Sequence, residues 1–109
     1  MENRRHPRFK LAVDIRVYAR NSAVVRGTTV DISESGISAL LRDELRLDEV
    51  VRLEFGLPLG DVEVLALVRY RNAFRYGFQF VESPSAQDRI AQTCRELAMD
   101  QSLAGPPAP

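Results

Sequence analysis

An all-β sandwich or small barrel with one terminal helix is the fold class that this 109-residue sequence predicts, on three observations. Apolar residues alternate with polar ones from Leu11 to about Val81, turn-forming residues interrupt the alternation at short intervals, and the period becomes helical only after Glu82. Alternation at every second residue gives a strand one buried and one wet face. Several such strands in succession suggest an antiparallel sandwich or small barrel.

Leu11, Val13, Ile15 and Val17 alternate with Ala12, Asp14, Arg16 and Tyr18 to make the first strand. After the turn Arg20-Asn21-Ser22, a second strand with Thr28, Val30 and Ile32 on its core face runs into the turn Glu34-Ser35-Gly36. Leu40 to Glu49, LLRDELRLDE, follows neither period and reads as a connection. Val51, Leu53, Phe55 and Leu57 line the next strand, which ends at Pro58-Leu59-Gly60-Asp61. Val62, Val64, Ala66, Val68 and Tyr70 form the core face of another, and past Arg71-Asn72 the stripe Phe74, Tyr76, Phe78 and Phe80 forms the last. Ser83 then reads as an N-cap with Pro84 at the first helical position. Ile90, Cys94, Leu97 and Gln101 mark one face of a helix of roughly four turns. The domain division is an N-terminal arm over residues 1–9, a barrel with its helix over 10–103 and a disordered tail, AGPPAP, over 104–109.

Fifteen basic and fifteen acidic residues cancel, so no overall field draws the chain to a nucleic acid polymer or an anionic membrane. Any anion site is local. Lys10 is the only lysine, and arginine is the cation that pairs bidentately with phosphate and stacks on aromatic faces. The single cysteine, Cys94, has no disulfide partner within the chain, and with one histidine there are too few soft ligands for structural zinc. The start MENRRHPRFK has no apolar stretch behind it, and no run has the length of a membrane span. The expected location is the cytoplasm.

Two local features could carry chemistry. The first is the arm Asn3-Arg4-Arg5-His6-Pro7-Arg8, which Pro7 holds extended, so that guanidinium groups can flank a phosphodiester or stack on a base. Taken alone, such a cluster is more often a disordered, solubilising N-terminus. The second is Asp31-Ile32-Ser33-Glu34-Ser35-Gly36 at a strand end. Asp31 and Ser33, about 6.5 to 7 Å apart on one outward face, could accept and assist hydrogen bonds from a guanine edge, while Gly36 would permit a positive φ or close ligand approach. Taken alone, this is equally a polar turn whose side chains satisfy backbone groups.

In combination, Arg4-x-x-x-Arg8, a strand, Asp31-x-Ser33-x-x-Gly36 and the later Tyr76-Gly77-Phe78-Gln79-Phe80 closely resemble the PilZ domain family over nearly the whole chain. The resemblance implies a six-stranded antiparallel barrel with a C-terminal helix. It also implies a non-enzymatic receptor for the second messenger cyclic di-GMP that needs no cofactor and relays the ligand's level to a partner protein by ordering its arm. It assigns Arg4 and Arg8 to phosphates and guanine stacking, and Asp31, Ser33 and Gly36 to a guanine, with Arg5 as an auxiliary contact. Asn3 stands where many members carry another arginine, a position that bears on whether one ligand or a stacked pair binds. A PilZ-like scaffold without ligand and a barrel binding single-stranded nucleic acid are the competing readings. Neutral charge and a core-directed aromatic stripe count against the latter.

The remaining candidates read as structural. His6 has no nucleophile or carboxylate at a catalytic spacing and reads as ligand-adjacent or solvent-facing. Cys94 reads as a small buried hydrophobe. Arg69, Arg71 and Arg75 cluster at one hairpin and read as a solvated edge, a second phosphate contact being the lesser alternative. Asp43, Glu44, Asp48 and Glu49 lack the spacing of a calcium loop.

Overall fold

The computed structural model describes residues 6–20, 22–58, 60–81 and 83–103. Its elements are β1 (Phe9–Lys10), β2 (Asp14–Tyr18), β3 (Val25–Ile32), β4 (Gly36–Leu41), β5 (Val50–Leu57), β6 (Gly60–Asn72), β7 (Arg75–Phe80) and α1 (Pro84–Leu103). Six strands follow one another in the order β3, β2, β5, β6, β7, β4, and β4 returns to pair with β3, which closes an antiparallel barrel. Thus the predicted six-stranded barrel with a C-terminal helix is the fold, with β1 as an extra strand. β1 and β2 share one edge of β3: β1 meets Asp31 and Ile32, and β2 meets the stretch from Val25 to Thr28.

The alternation read from the sequence holds through β2 and β5, where Ile15, Val17, Val51, Leu53, Phe55 and Leu57 are buried. Tyr76, Phe78 and Phe80 of β7 join the same core, and α1 covers it with Ala86, Ile90 and Cys94, Leu97 packing alongside. The helix opens as expected: the Ser83 carbonyl accepts the Gln87 N–H at 2.8 Å, with Pro84 at the first helical position. It runs 20 residues, about five and a half turns rather than four, because Arg95 to Met99 are good helix formers.

Four expectations shift, each for a physical reason. β3 slips in register between Thr29 and Asp31, and an irregularity of this kind reverses which residues face inward. Thr29 is therefore buried and Thr28 exposed, not the reverse. The buried hydroxyl is used in both directions. Thr29 Oγ1 accepts the Val13 N–H at 2.9 Å and donates to the Leu11 carbonyl, bridging the break between β1 and β2. β6 slips likewise between Val68 and Tyr70, which places Tyr70 on the outer face instead of in the core. Phe74 lies in the β6–β7 turn, 68% exposed, and does not join the aromatic stripe. Leu40 and Leu41 belong to β4, so the connection begins at Arg42; it is anchored by buried Leu45, whose N–H donates to the Tyr76 hydroxyl at 3.1 Å.

Burial, with Glu34 nearby, pushes the Cys94 thiol up to about 11. The folded chain therefore keeps a proton that the unfolded chain releases near its ordinary value of about 8.5. Unfolding sheds that proton at alkaline pH, so this contribution to stability is complete below about 8.5 and is lost as pH rises towards 11. Urea melts between pH 8 and 11 should show a steeper alkaline loss in the native chain than in Cys94→Ala. Equal slopes would contradict the burial. A thiol reagent at pH 8 should label Cys94 only as fast as the chain opens.

Candidate functional site

The β3–β4 hairpin sets the site. Asp31 pairs with Ser38 and Ile32 with Ile37, leaving residues 33–36 as the turn. The Ser33 N–H donates to the Gly36 carbonyl at 2.8 Å. The Ser33 hydroxyl oxygen accepts the N–H groups of Ser35 at 3.2 Å and Gly36 at 3.1 Å. Ser33 is only 2% exposed. The sequence reading puts it outward beside Asp31, whereas the structure turns it inward to organise the turn, the backbone competing successfully for a short hydroxyl. Gly36 also has a different basis from the one expected. It is not in the left-handed region; a Cβ there would lie 2.3 Å from the Phe78 carbonyl oxygen, so β7 rather than a ligand demands the glycine.

Asp31 faces outward and gathers the polar residues around it. Its Oδ1 accepts hydrogen bonds from Arg8 Nη1 at 2.9 Å and from Ser38 Oγ at 2.7 Å, and its Oδ2 accepts one from Arg75 Nη2 at 3.0 Å. Arg75 Nη2 also lies 3.3 Å from Ser38 Oγ. The carboxylate side chain is 16% exposed, low enough to strengthen both ion pairs relative to open water. Two guanidinium groups face one carboxylate, which leaves local positive charge on a chain that is neutral overall.

The registers extend this cluster into a row across the sheet. Lys10 pairs with Asp31, Asp31 with Ser38, Ser38 with Gly77, and Gly77 with Tyr70. The Tyr70 ring lies on Gly77, where a Cβ would come 1.9 Å from the ring's Cε2. Ser38 belongs to the Asp31 cluster and Gly77 lies beneath the ring, so the row runs directly from the ion pairs of Asp31 to the ring of Tyr70.

Of the residues predicted for the site, Arg8 and Asp31 come together, and Ser33 and Gly36 build the turn beneath them. Arg4 and Arg5 lie outside the described residues. His6 is half-buried, and its Nδ1 has no hydrogen-bond partner among the described residues. Sequence reasoning missed Ser38 and demoted Arg75. Alternation puts Arg75 on a wet face and says nothing of Ser38, which is buried; only the pairing of β4 with β7 brings them to one spot, and no local signal announces that pairing. Arg71, from the same hairpin, is engaged elsewhere: it pairs with Glu44 at 3.4 Å and lies over the Tyr76 ring at 5.6 Å.

A groove of about 880 Å³ lies away from this row, between β2, β3, β5 and β6. Arg16, Arg26 and Arg42 there face Asp14, Glu54, Asp61 and Glu63, so it carries no surplus cation. Hydrogen bonds with Glu63 and Tyr18, with Arg16 and Arg52 nearby, hold the Glu54 carboxyl below its ordinary value. Among the described residues no group of histidine, cysteine or acidic side chains is placed to hold a metal ion, and no helix is long and apolar enough to cross a membrane.

A family model described as PilZ domain matches residues 2–96. The chain matches no curated protein. Among solved structures it is similar to the PilZ domain with c-di-GMP of YcgR from Escherichia coli, with 17% identity, a TM-score of 0.78 and coverage of 94% of this chain and 98% of that one. It is also similar to the MrkH–c-di-GMP complex of K. pneumonia (18% identity, TM-score 0.80, 96% of this chain and 57% of that one). A third likeness is to the Bacillus subtilis inhibitor of motility MotI/DgrA (20% identity, TM-score 0.76, 93% and 54%). At these identities the likeness is one of fold.

Gly36→Ala should destabilise the chain by about 1–3 kcal/mol, the usual range for overpacking, because the new methyl group meets a backbone oxygen that cannot rotate away. Equilibrium urea unfolding measures it. A midpoint within error of the native chain would show that β7 can recede.

Proposed function

The chain belongs to the PilZ domain family, and on that premise we propose that it is a receptor for cyclic di-GMP, bound on the row that contains Asp31. The observation that carries this reading is the meeting of Arg8 and Asp31 at 2.9 Å across 23 residues of sequence. Two neighbours in fold, YcgR and MrkH, are known as complexes with c-di-GMP, which supports the choice of ligand.

The ligand brings two phosphate charges and two guanines. Asp31 takes the N1–H and N2 amino group of a guanine, one on each oxygen, a pattern that adenine cannot supply. It already accepts two hydrogen bonds at Oδ1 and one at Oδ2, against roughly two acceptor sites per oxygen. One donor at Oδ1 must therefore yield, and Arg8 is the one with an alternative: it exchanges the carboxylate for a ligand phosphate. Arg75 remains to orient Asp31. Arg4, four residues before Arg8, reaches at most about 14 Å further, enough to hold the second phosphate or stack on a base, with Arg5 beside it. Ser33 and Gly36 act through the turn that holds Asp31 in place. Ordering of the arm over the barrel is then the signal passed to a partner protein. The chemistry is that of a cytoplasmic receptor rather than a catalyst.

The scaffold reading draws on the same network, since Asp31 is well satisfied without a ligand. Calorimetry against cyclic di-GMP, cyclic di-AMP and a short single-stranded oligonucleotide at physiological salt separates these possibilities. Saturable binding of the first alone is expected; no heat with any would favour the scaffold, and salt-sensitive oligonucleotide binding would favour a nucleic-acid module. Arg8→Ala should weaken binding about 10- to 150-fold, the equivalent of a charge-assisted contact of about 1.5–3 kcal/mol. Asp31→Ala should bring the affinities for the two cyclic dinucleotides together; retained guanine preference would exclude Asp31 from base recognition.

A further inference from the structure

We infer that Gln101, in the last turn of α1, positions the arm by clamping the backbone of Lys10, the pivot from which Arg8 reaches Asp31. Gln101 Nε2 donates to the Lys10 carbonyl at 2.9 Å, and the Lys10 N–H donates to Gln101 Oε1 at 3.3 Å. One side-chain amide thus supplies the donor and the acceptor that a neighbouring strand would offer.

The geometry makes this more than an incidental surface contact. The Leu11 N–H is spent on the Val30 carbonyl of β3 at 3.1 Å, so the N–H and C=O of Lys10, one residue earlier, face the opposite edge of β1. β1 is only two residues long and pairs on one side with β3 alone. An edge of that length has little hold of its own. Gln101 falls on the face marked by Ile90, Cys94 and Leu97, which directs its half-buried side chain at β1, with both hydrogen bonds open to solvent. Lys10 in turn is the cross-strand partner of Asp31. Clamp, pivot and site carboxylate therefore lie in line, with Arg8 two residues before the pivot.

A carboxylate at position 101 could accept the Lys10 N–H but would face the Lys10 carbonyl with no donor. Leucine would keep the apolar bulk and lose both hydrogen bonds. The inference rests on the receptor reading only where it names the ligand, and the test has one readout that is independent of ligand. NMR-resolved hydrogen exchange is followed at Lys10 in the native chain, Gln101→Leu and Q101E, and the affinity for cyclic di-GMP is measured in each. Gln101→Leu should accelerate Lys10 exchange about tenfold and leave the amides of β5 and β6 unchanged. It should also raise Kd about three- to tenfold, the worth of about one net hydrogen bond, with Q101E intermediate or equal to it. In an Arg8→Ala background the further effect on Kd should shrink to what Arg4 and Arg5 still carry, because Gln101 acts through the arm.

Unchanged exchange at Lys10 overturns the inference. So does a full loss of affinity that persists without the Arg8 side chain, or a Kd within twofold of native despite faster exchange. If Gln101→Leu loses its fold, Q101E carries the test. A native chain that fails to bind cyclic di-GMP, while Lys10 protection still depends on Gln101, sinks the receptor reading and leaves the clamp standing.

Discussion

The pairing of β3 with β4 is the constraint on which the other features depend, because β3 already carries β1 and β2 along its opposite edge. Closing the barrel at this seam brings Asp31 beside Ser38 and, through the β4–β7 ladder, within reach of Arg75. The tightness of the seam is visible at Gly27, where a Cβ would meet the Leu40 carbonyl oxygen at 2.1 Å, and the neighbouring β4–β7 ladder is as close, since a Cβ on Gly36 would meet the Phe78 carbonyl oxygen at 2.3 Å. Backbones packed this closely leave Asp31 little freedom to move, so the carboxylate is held in position before any ligand is considered.

Charge is distributed with the same economy. On β2 and β5 the arginines and acids face one another: Arg16 and Arg52 flank Glu54, and Arg52 also lies over the Tyr18 ring at 4.3 Å. These exposed pairs cancel one another's field and contribute little stability. Around Asp31 the count is uneven, with Arg8 and Arg75 converging on a single carboxylate. A chain with no net charge can thus carry an anion-attracting spot without drawing in polyanions along its whole surface.

The fold was largely legible in the sequence, because barrel strands and a covering helix write their burial into period and turn chemistry, as Val51 to Leu57 and Ile90 to Cys94 illustrate. Legibility stopped where the chain departs from strict alternation. Period-two counting carries a register forward unchanged, so it cannot see that the slip after Thr29 turns Thr28 outward or that the slip after Val68 takes Tyr70 out of the core. The site was half legible for a related reason. Arg8 and Asp31 belong to local patterns, whereas Ser38 and Arg75 acquire meaning only from strand neighbours distant in sequence. Gly36 reads from the sequence as a residue of positive φ or close ligand approach, whereas the structure presses the β7 backbone against it, and an approaching backbone leaves no more trace in the sequence than an approaching ligand would.

The short gap between β1 and β2, spanned by the buried Thr29 hydroxyl, has a mechanical consequence. A continuous strand from Phe9 to Tyr18 would transmit a pull on the N-terminal segment straight into the barrel wall, unzipping β3 rung by rung. Because regular pairing lapses at residues 11–13, tension is met first by the two residue pairs of β1 and then by single bonds: Leu11 N–H to the Val30 carbonyl, Thr29 N–H to the Val13 carbonyl, and the Thr29 hydroxyl bridge. The segment ahead of that stretch is thus held by a short ladder and a few single bonds, and a load on it meets those before it meets the longer run of pairs between β2 and β3.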